Sequence, residues 1–255
     1  MARGALDDDV GERCHFRAEI AYDGTDYHGF QFQSGQRSVQ GVLEEALTRV
    51  TGQVTRVVGA GRTDAGVHAQ GQVIAFRVRW RHEMAGLHRA VNALLPRDVA
   101  LLSLEVAPEG FHPRFSAQSR WYRYTILNQP CRSPLSRRWA LHVPKPLDVD
   151  SMDQACAGLV GERDFATFGQ PPQGRNTVRQ VLRAELGREK RFLCFDIEAN
   201  AFLTKMVRSL VGTLLQVGLG AFSPEGFLQR LAACDRSLAG PTAPPHGLCL
   251  MAVCY

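Results

Sequence analysis

The chain has 255 residues and a net charge of +5 at pH 7, and 45% of its residues are hydrophobic. This length fits one large domain or two domains of roughly 100–150 residues each, and no segment approaches the ~20 apolar residues that a membrane-spanning helix needs. The seven cysteines are scattered without a C-x-x-C pair, which argues against disulfides and a zinc site and favours free thiols in a reducing cytoplasm.

The first part of the chain is predicted to form a ferredoxin-like unit after a short tail. Residues 1–13 are acidic and lack an apolar core, which predicts a disordered tail rather than a signal peptide. The apolar pattern then predicts a strand at 14–22, a helix from the N-cap Ser38 to Gly52, strands at 54–58 and 73–76, a helix at 82–95 and a strand at 99–106. This β-α-β-β-α-β order indicates an N-terminal α+β domain at 14–107.

A single carboxylate, Asp64, lies in the middle of a glycine-rich segment between Gly59 and Gly71, two residues after Arg62. Apolar, β-branched stretches flank the segment, so Asp64 is predicted to be a reactive group at a strand end. Glycines there would let a substrate approach the backbone closely. An ordinary hairpin loop with a solvated aspartate fits the same pattern.

Several standard motifs are absent around Asp64. The G-x-G-x-x-G pattern fails because its third glycine would fall at Asp64, and the chain has no Gly-Lys-Ser/Thr of a P-loop. His82-Glu83 lacks the second histidine of H-E-x-x-H, since position 86 is Gly, and the eight histidines show no ligand spacing. The sequence therefore predicts neither a phosphate loop nor a metal site.

A second unit is predicted after a link at 108–113. Its strands are expected at 119–127, 177–186, 191–198 and 248–255, and its helices at 149–159, at 201–219 and after Ser223-Pro224. The order again resembles β-α-β-β-α-β, which indicates a C-terminal α+β domain at 108–255. We therefore predict an α+β fold class with two related halves and a groove between them.

Basic and aromatic residues are interleaved in the segment 110–147, which contains no Asp or Glu. The basic members are Arg114, Arg120, Arg123, Arg132, Arg137, Arg138 and Lys145, and the aromatic ones are Phe111, Phe115, Trp121, Tyr122, Tyr124 and Trp139. Basic groups neutralise phosphates and aromatic faces stack on bases, so the segment is predicted to be a nucleic-acid surface. A solvated strand face with some core aromatics is the alternative.

The predicted helix at 201–219 carries two cations, Lys205 and Arg208, in an otherwise apolar stretch. A cation in so apolar a helix is expensive to bury unless it is paired. Asp64 is the candidate partner of Arg208, and such a pair would keep the carboxylate ionised and oriented. Alternatively, the Arg208 side chain extends to water.

Taken together, the short motifs of this chain resemble those of the tRNA pseudouridine synthase A family. In order from about residue 16 to Tyr255, they cover nearly the whole chain, and the one that contains Asp64 is highly specific. They include Tyr22-Asp23-Gly24-Thr25, Gly29-Phe30-Gln31, Val39-Gln40-Gly41, Gly61-Arg62-Thr63-Asp64-Ala65-Gly66-Val67-His68-Ala69, Phe111-His112-x-Arg114-Phe115-Ser116-Ala117, Tyr122-x-Tyr124, Asn200-Ala201-Phe202, Met206-Val207-Arg208 and Gly247-Leu248.

The resemblance implies two ferredoxin-like halves that form one extended, mixed, mostly antiparallel sheet, with helices on one side and a central RNA-binding cleft. It implies a homodimer that isomerises uridines at positions 38, 39 and 40 of the tRNA anticodon stem-loop. By position, Asp64 is similar to the family's catalytic aspartate and Arg208 to its partner. Tyr122 is similar to the aromatic residue that packs against the base, and Arg62 to the side chain that helps displace it.

Pseudouridine formation is redox-neutral, so we expect no cofactor and no metal. Asp64 would attack C6 or C1′ of the nucleotide or take a proton from the sugar, and the sequence does not choose among these. Arg114, Arg120 and Arg123 are expected to help bind tRNA, together with Tyr122 and Arg62. Two rival functions are a non-catalytic RNA-binding module and an acid/base hydrolase, although the hydrolase lacks a second carboxylate matched to Asp64.

Overall fold

The structure, a computed structural model, describes residues 13–172 and 174–255, so all but the last residue of the predicted acidic tail lies outside the described residues. The strands are β1 (Cys14–Tyr22), β2 (Val57–Gly59), β3 (His68–Val78), β4 (Val99–Val106), β5 (Ser119–Asn128), β6 (Leu141–Val143), β7 (Gly161–Asp164), β8 (Val178–Glu189), β9 (Phe192–Ala199) and β10 (Leu248–Cys254). The helices are α1 (Val39–Thr51), α2 (Met84–Leu94), α3 (Val149–Ala157), α4 (Met206–Gly218) and α5 (Pro224–Ala232).

These strands form one sheet in the order β4-β1-β3-β10-β5-β9-β8-β7, with β2 beside β3 and β6 beside β5. The first unit has the order β4-β1-β3-β2, and the second repeats it as β10-β5-β9-β8. Neighbouring strands run antiparallel, with two exceptions. β10 runs parallel to β3, and β6 runs parallel to β5. The predicted α+β fold with an extended, mixed and mostly antiparallel sheet is confirmed.

The helices cover one face of this sheet. Ile20 of β1 and Tyr124 of β5 point to that face and are fully buried in the same hydrophobic cluster as Leu43 of α1, Leu87 of α2 and Leu210 of α4. Alternate residues of β1 and β5 point to the opposite face, where many are polar or charged and partly exposed. No helix among the described residues is long and apolar enough to cross a membrane.

The edge of β3 that faces the second unit is divided between two strands. β2 pairs with it at residues 74–76, and β10 pairs with it at residues 68 and 69. β10 approaches so closely at Gly71 that an added Cβ would lie 2.4 Å from the carbonyl oxygen of Met251. Residues 60–67, hereafter the Asp64 loop, connect β2 to β3 and therefore lie at the junction of the two units.

The boundaries of α1 follow from local chemistry and agree with the prediction. The Ser38 hydroxyl accepts a hydrogen bond from the Gly41 N–H at 3.2 Å, which caps the start of the helix. At the other end, Gly52 has a φ of 69°, and its N–H donates to the Thr48 carbonyl. Glycine adopts this left-handed conformation without a steric penalty, so the helix stops there.

The second unit differs from the prediction at the start of α4. The helix begins at Met206 rather than at residue 201, because residues 201–205 adopt an irregular conformation. The Thr204 N–H donates to the Gln170 carbonyl at 2.9 Å, and Lys205 has a φ of 61°. Strands β6 and β7 are absent from the prediction because three or four residues are too few for an alternating pattern to be recognised.

Candidate active site

The loop that carries Asp64 is fixed to the first unit by backbone hydrogen bonds. The Phe30 N–H donates to the Thr63 carbonyl at 3.1 Å, and the Gly66 N–H donates to the Tyr27 carbonyl at 3.3 Å. These bonds hold the chain on both sides of the carboxylate. The loop is therefore built into the fold, in contrast to the alternative of a plain hairpin with a solvated aspartate.

Close packing explains the glycine at position 29, opposite this loop. Gly29 has a φ of 91°, and a Cβ added there would lie 2.7 Å from the Thr63 carbonyl oxygen. On the other side, the buried hydroxyl groups of Tyr22 and Thr63 lie 2.8 Å apart and share a hydrogen bond. Gly29 and Tyr22 thus contact Thr63 from two sides and fix the position of the neighbouring Asp64.

Asp64 forms an ion pair with Arg208, as the sequence predicts. The Arg208 Nη1 donates to Asp64 Oδ2 at 2.9 Å, and the Nε of the same guanidinium donates to the Ala243 carbonyl at 2.8 Å. The Arg208 side chain is 14% exposed and that of Asp64 34% exposed. The arginine therefore does not extend to water, and one carboxylate oxygen remains free of this bond.

Tyr122 lies in β5 on the helix-covered face and forms one wall of the site. Its ring meets that of Phe202 edge to face, with the centroids 5.0 Å apart at an angle of 82°. A Cβ added at Gly61, in the Asp64 loop, would lie 3.9 Å from the Tyr122 hydroxyl. The tyrosine hydroxyl thus reaches across from the second unit to the loop that carries Asp64.

The Tyr122 hydroxyl forms no hydrogen bond with any described residue. The other tyrosine hydroxyls in this part of the chain are paired, with partners on Thr63 for Tyr22, Asp98 for Tyr27, Pro244 for Tyr124 and Pro113 for Tyr255. Burial raises the pKa of Tyr122 to about 12, the Asp64 charge acts in the same direction and Arg120 opposes it. The phenol is therefore protonated at neutral pH and offers a donor to a ligand beside Asp64.

The predicted binding arginines take different positions around this site. Arg62 is exposed and forms no hydrogen bond or ion pair with the described residues. Arg114 is half-buried, with its guanidinium 5.7 Å from the Phe115 ring centre. Arg120 lies on the same face of β5 as Tyr122 and binds backbone carbonyls. Arg62 belongs to the Asp64 loop, and Arg120 binds the carbonyls of Ala60 in that loop and of Arg114.

Arg123 lies on the opposite face of the sheet, because successive strand residues point to opposite sides. Its Nε and Nη2 bind the two oxygens of the buried Asp196 at 3.0 and 2.9 Å, and its Nη1 binds Glu189 at 2.8 Å. The bond to Asp196 raises the pKa of Arg123. The structure therefore does not bring Arg123 together with Asp64, and its part in tRNA binding stays a prediction.

Replacing Arg123 by Ala is expected to destabilise the fold rather than to alter the site. Asp196 is 3% exposed and would remain buried without its cation, at a cost of about 3 kcal/mol in the free energy of unfolding. Denaturant unfolding measures this loss. Glu189→Gln removes the partly exposed partner and should change stability little. Equal effects of the two variants would contradict the prediction.

Two residues near the site have no role in the sequence prediction. Phe202 supports the Tyr122 ring, and His68, the first residue of β3, follows the Asp64 loop. The His68 Nδ1 lies 3.1 Å from the Gly24 backbone nitrogen, and its Nε2 lies 2.8 Å from the Arg138 carbonyl oxygen. Both residues occur in the motifs that carry the family resemblance, so those motifs could have identified them as site residues.

Comparison with known proteins identifies the family of this chain. The sequence model of a family described as tRNA pseudouridine synthase matches residues 18–116 and 155–255, which are most of the chain. The chain therefore belongs to the tRNA pseudouridine synthase family.

Similar curated proteins carry the name tRNA pseudouridine synthase A. The one from Roseiflexus castenholzii is 47% identical over 240 residues, which cover 92% of this chain and 88% of the relative. The one from Geobacter sp. (strain M21) is 45% identical over 238 residues, which cover 92% and 96%. The alignment with a chain from a solved Cbf5–Nop10–Gar1 complex covers 79% of this protein and 54% of the solved chain, at 14% identity and a TM-score of 0.34. This similarity is too distant to bear on the site.

Proposed function

We propose that this protein isomerises uridine to pseudouridine in the anticodon stem-loop of tRNA, at positions 38, 39 and 40, with Asp64 as its catalytic carboxylate. The observation that carries the proposal is the Asp64–Arg208 ion pair on a fixed loop, next to the Tyr122 hydroxyl, which has no hydrogen-bond partner among residues 13–172 and 174–255. Membership of the tRNA pseudouridine synthase family supports the reaction. The family resemblance also supports a homodimer that acts in the cytoplasm.

The reaction needs few protein groups. The N1–C1′ bond breaks, the uracil rotates and C5 bonds to C1′, after which C5 loses its proton and N1 gains one. Asp64 acts on C6, on C1′ or on a sugar proton, and each of these roles requires an ionised carboxylate held in one orientation. Arg208 provides this orientation through two hydrogen bonds from one planar guanidinium.

The two halves of the chain make separate contributions to this proposed site. Residues 14–107 supply the Asp64 loop, and residues 108–255 supply Tyr122 and Arg208, so the cleft between them is where the base would enter. A uridine must leave the helical stack to reach Asp64, and the edge-to-face pair of Tyr122 and Phe202 offers it an aromatic wall. Arg62 is exposed on the Asp64 loop, and we expect it to fill the vacancy in the stack or to bind a phosphate.

The test uses the purified full chain and an unmodified tRNA transcript that contains 5-tritiated uridine. Tritium release without any added cofactor is expected, and it should disappear when positions 38, 39 and 40 all carry cytidine. Transcripts with one uridine at a time then assign the positions. Tight binding without release would favour the RNA-binding module, and release from the cytidine-substituted transcript would contradict the proposed position.

Replacing Tyr122 by Phe is expected to lower kcat by about 100-fold, because the ring remains while the proton donor is lost. Since the pKa of Tyr122 is about 12, its ionisation should leave the wild-type rate unchanged between about pH 7 and 10. Single-turnover tritium release over that range checks both points. Tyr124→Phe is the matched control, because that hydroxyl binds the Pro244 carbonyl instead. If Tyr122→Phe turns over normally, the hydroxyl has no essential role and the ring acts only by packing.

A further inference from the structure

Arg120 stands out because its guanidinium is occupied by backbone carbonyl groups. Its Nη2 donates to the carbonyls of Ala60 at 3.1 Å and Arg114 at 2.6 Å, and its Nη1 donates to those of Asn200 at 2.9 Å and Ala117 at 3.3 Å. The side chain is half-buried, and desolvation lowers the pKa of Arg120. Four of its five N–H directions are therefore used inside the protein.

Three other arginines among the described residues bind differently. Arg17, Arg123 and Arg208 each bind a carboxylate, whereas Arg120 forms no ion pair with the described residues. An arginine that grips a phosphate must present free N–H groups to it. The hydrogen bonds of Arg120 to backbone carbonyls therefore do not fit its expected role as a direct tRNA contact.

Two of the four carbonyls belong to the segments that present the ion pair. Ala60 begins the Asp64 loop, on the first unit. Asn200 begins the irregular segment that carries Phe202 to the Tyr122 ring and leads into α4 with Arg208. One guanidinium thus joins the backbone that presents the carboxylate to the backbone that presents its partner.

We propose that Arg120 is a positioning residue that sets the distance between the Asp64 loop and the segment 200–205, and that it does not itself bind tRNA. This inference rests on the proposed function for its effect on turnover. A misplacement of about 1 Å in a reacting group can lower a rate by about 100-fold. Loss of Arg120 should therefore lower kcat and leave KM and the salt dependence of tRNA binding unchanged.

Three variants separate this role from a phosphate contact. Arg120→Ala should lower kcat by about 100-fold with an unchanged KM, and added guanidinium ion should restore part of the rate. Arg62→Ala, at an exposed arginine, should instead weaken tRNA binding and reduce its salt dependence. Arg17→Ala removes a guanidinium that binds Glu105 on the far face of the sheet and should leave turnover unchanged.

Amide hydrogen exchange of the free proteins tests the inference without any activity. Arg120→Ala should speed exchange at least tenfold in residues 60–67 and 200–205, whereas Arg17→Ala should not. Unchanged exchange in these segments, or a loss of tRNA affinity and salt dependence like that of Arg62→Ala, would overturn the inference. A wild-type protein that releases no tritium would refute the proposed function, and the exchange result would still decide the positioning role.

Discussion

Replacing Asp64 by Asn is expected to abolish tritium release from 5-tritiated uridine in tRNA, with a loss in kcat on the order of 10⁴-fold or more. Asparagine has the same size, and its side-chain oxygen can still accept the hydrogen bond from Arg208. The Asp64 loop keeps its backbone bonds through Thr63 and Gly66. The variant therefore removes the negative charge with little change in shape, and tRNA binding should persist.

A matched control is available at the edge of the sheet. Glu105 accepts a hydrogen bond from Arg17 Nη1 at 2.9 Å, the same distance as in the Asp64–Arg208 pair. Glu105→Gln should retain full turnover, because this pair lies on the far face of β1 and β4. Retained turnover by Asp64→Asn would refute the catalytic assignment. Equal losses in both variants would show that removing any such charge damages the fold.

The ends of α1 could be predicted because local chemistry determines them, whereas the Asp64–Arg208 contact spans 144 residues and could be predicted only together with the family resemblance. A cation in an apolar helix requires a partner, and the loop motif offered one carboxylate. Ser38 and Gly52 are a cap and a stop that need no knowledge of the rest of the fold. The same holds for β1, whose alternating residues give its observed limits.

The sequence could not show which arginines share a face of the sheet with Tyr122. Arg120 and Arg123 lie three residues apart in one strand, so they point to opposite faces. Only the packing of the helices decides which face is covered. The prediction therefore treats the basic and aromatic segment 110–147 as one surface, although the residues of β5 within it point to two faces. The contact of Arg120 with Asn200 spans 80 residues and leaves no local pattern.

The sequence also could not predict how the two units join. The last strand, β10, lies between β3 and β5 at the centre of the sheet. Its parallel pairing with β3 involves only residues 68 and 69 of that strand, which follow the Asp64 loop directly. The hydrophobic pattern predicts a strand at the end of the chain but contains no information on its neighbours. The position of the loop at the cleft depends on that pairing.

Replacing Arg208 by Lys should lower kcat by about 100-fold and leave KM nearly unchanged. Lysine keeps the charge, but its single ammonium cannot reproduce the fork that binds Asp64 and the Ala243 carbonyl together. Since Arg208 acts through Asp64, the double variant with Asp64→Asn should be no slower than Asp64→Asn alone. Single-turnover tritium release from the four proteins of this cycle measures the coupling, and Arg17→Lys serves as the control at the Glu105 pair. Multiplicative losses in the double variant would show that Arg208 contacts the substrate independently of Asp64.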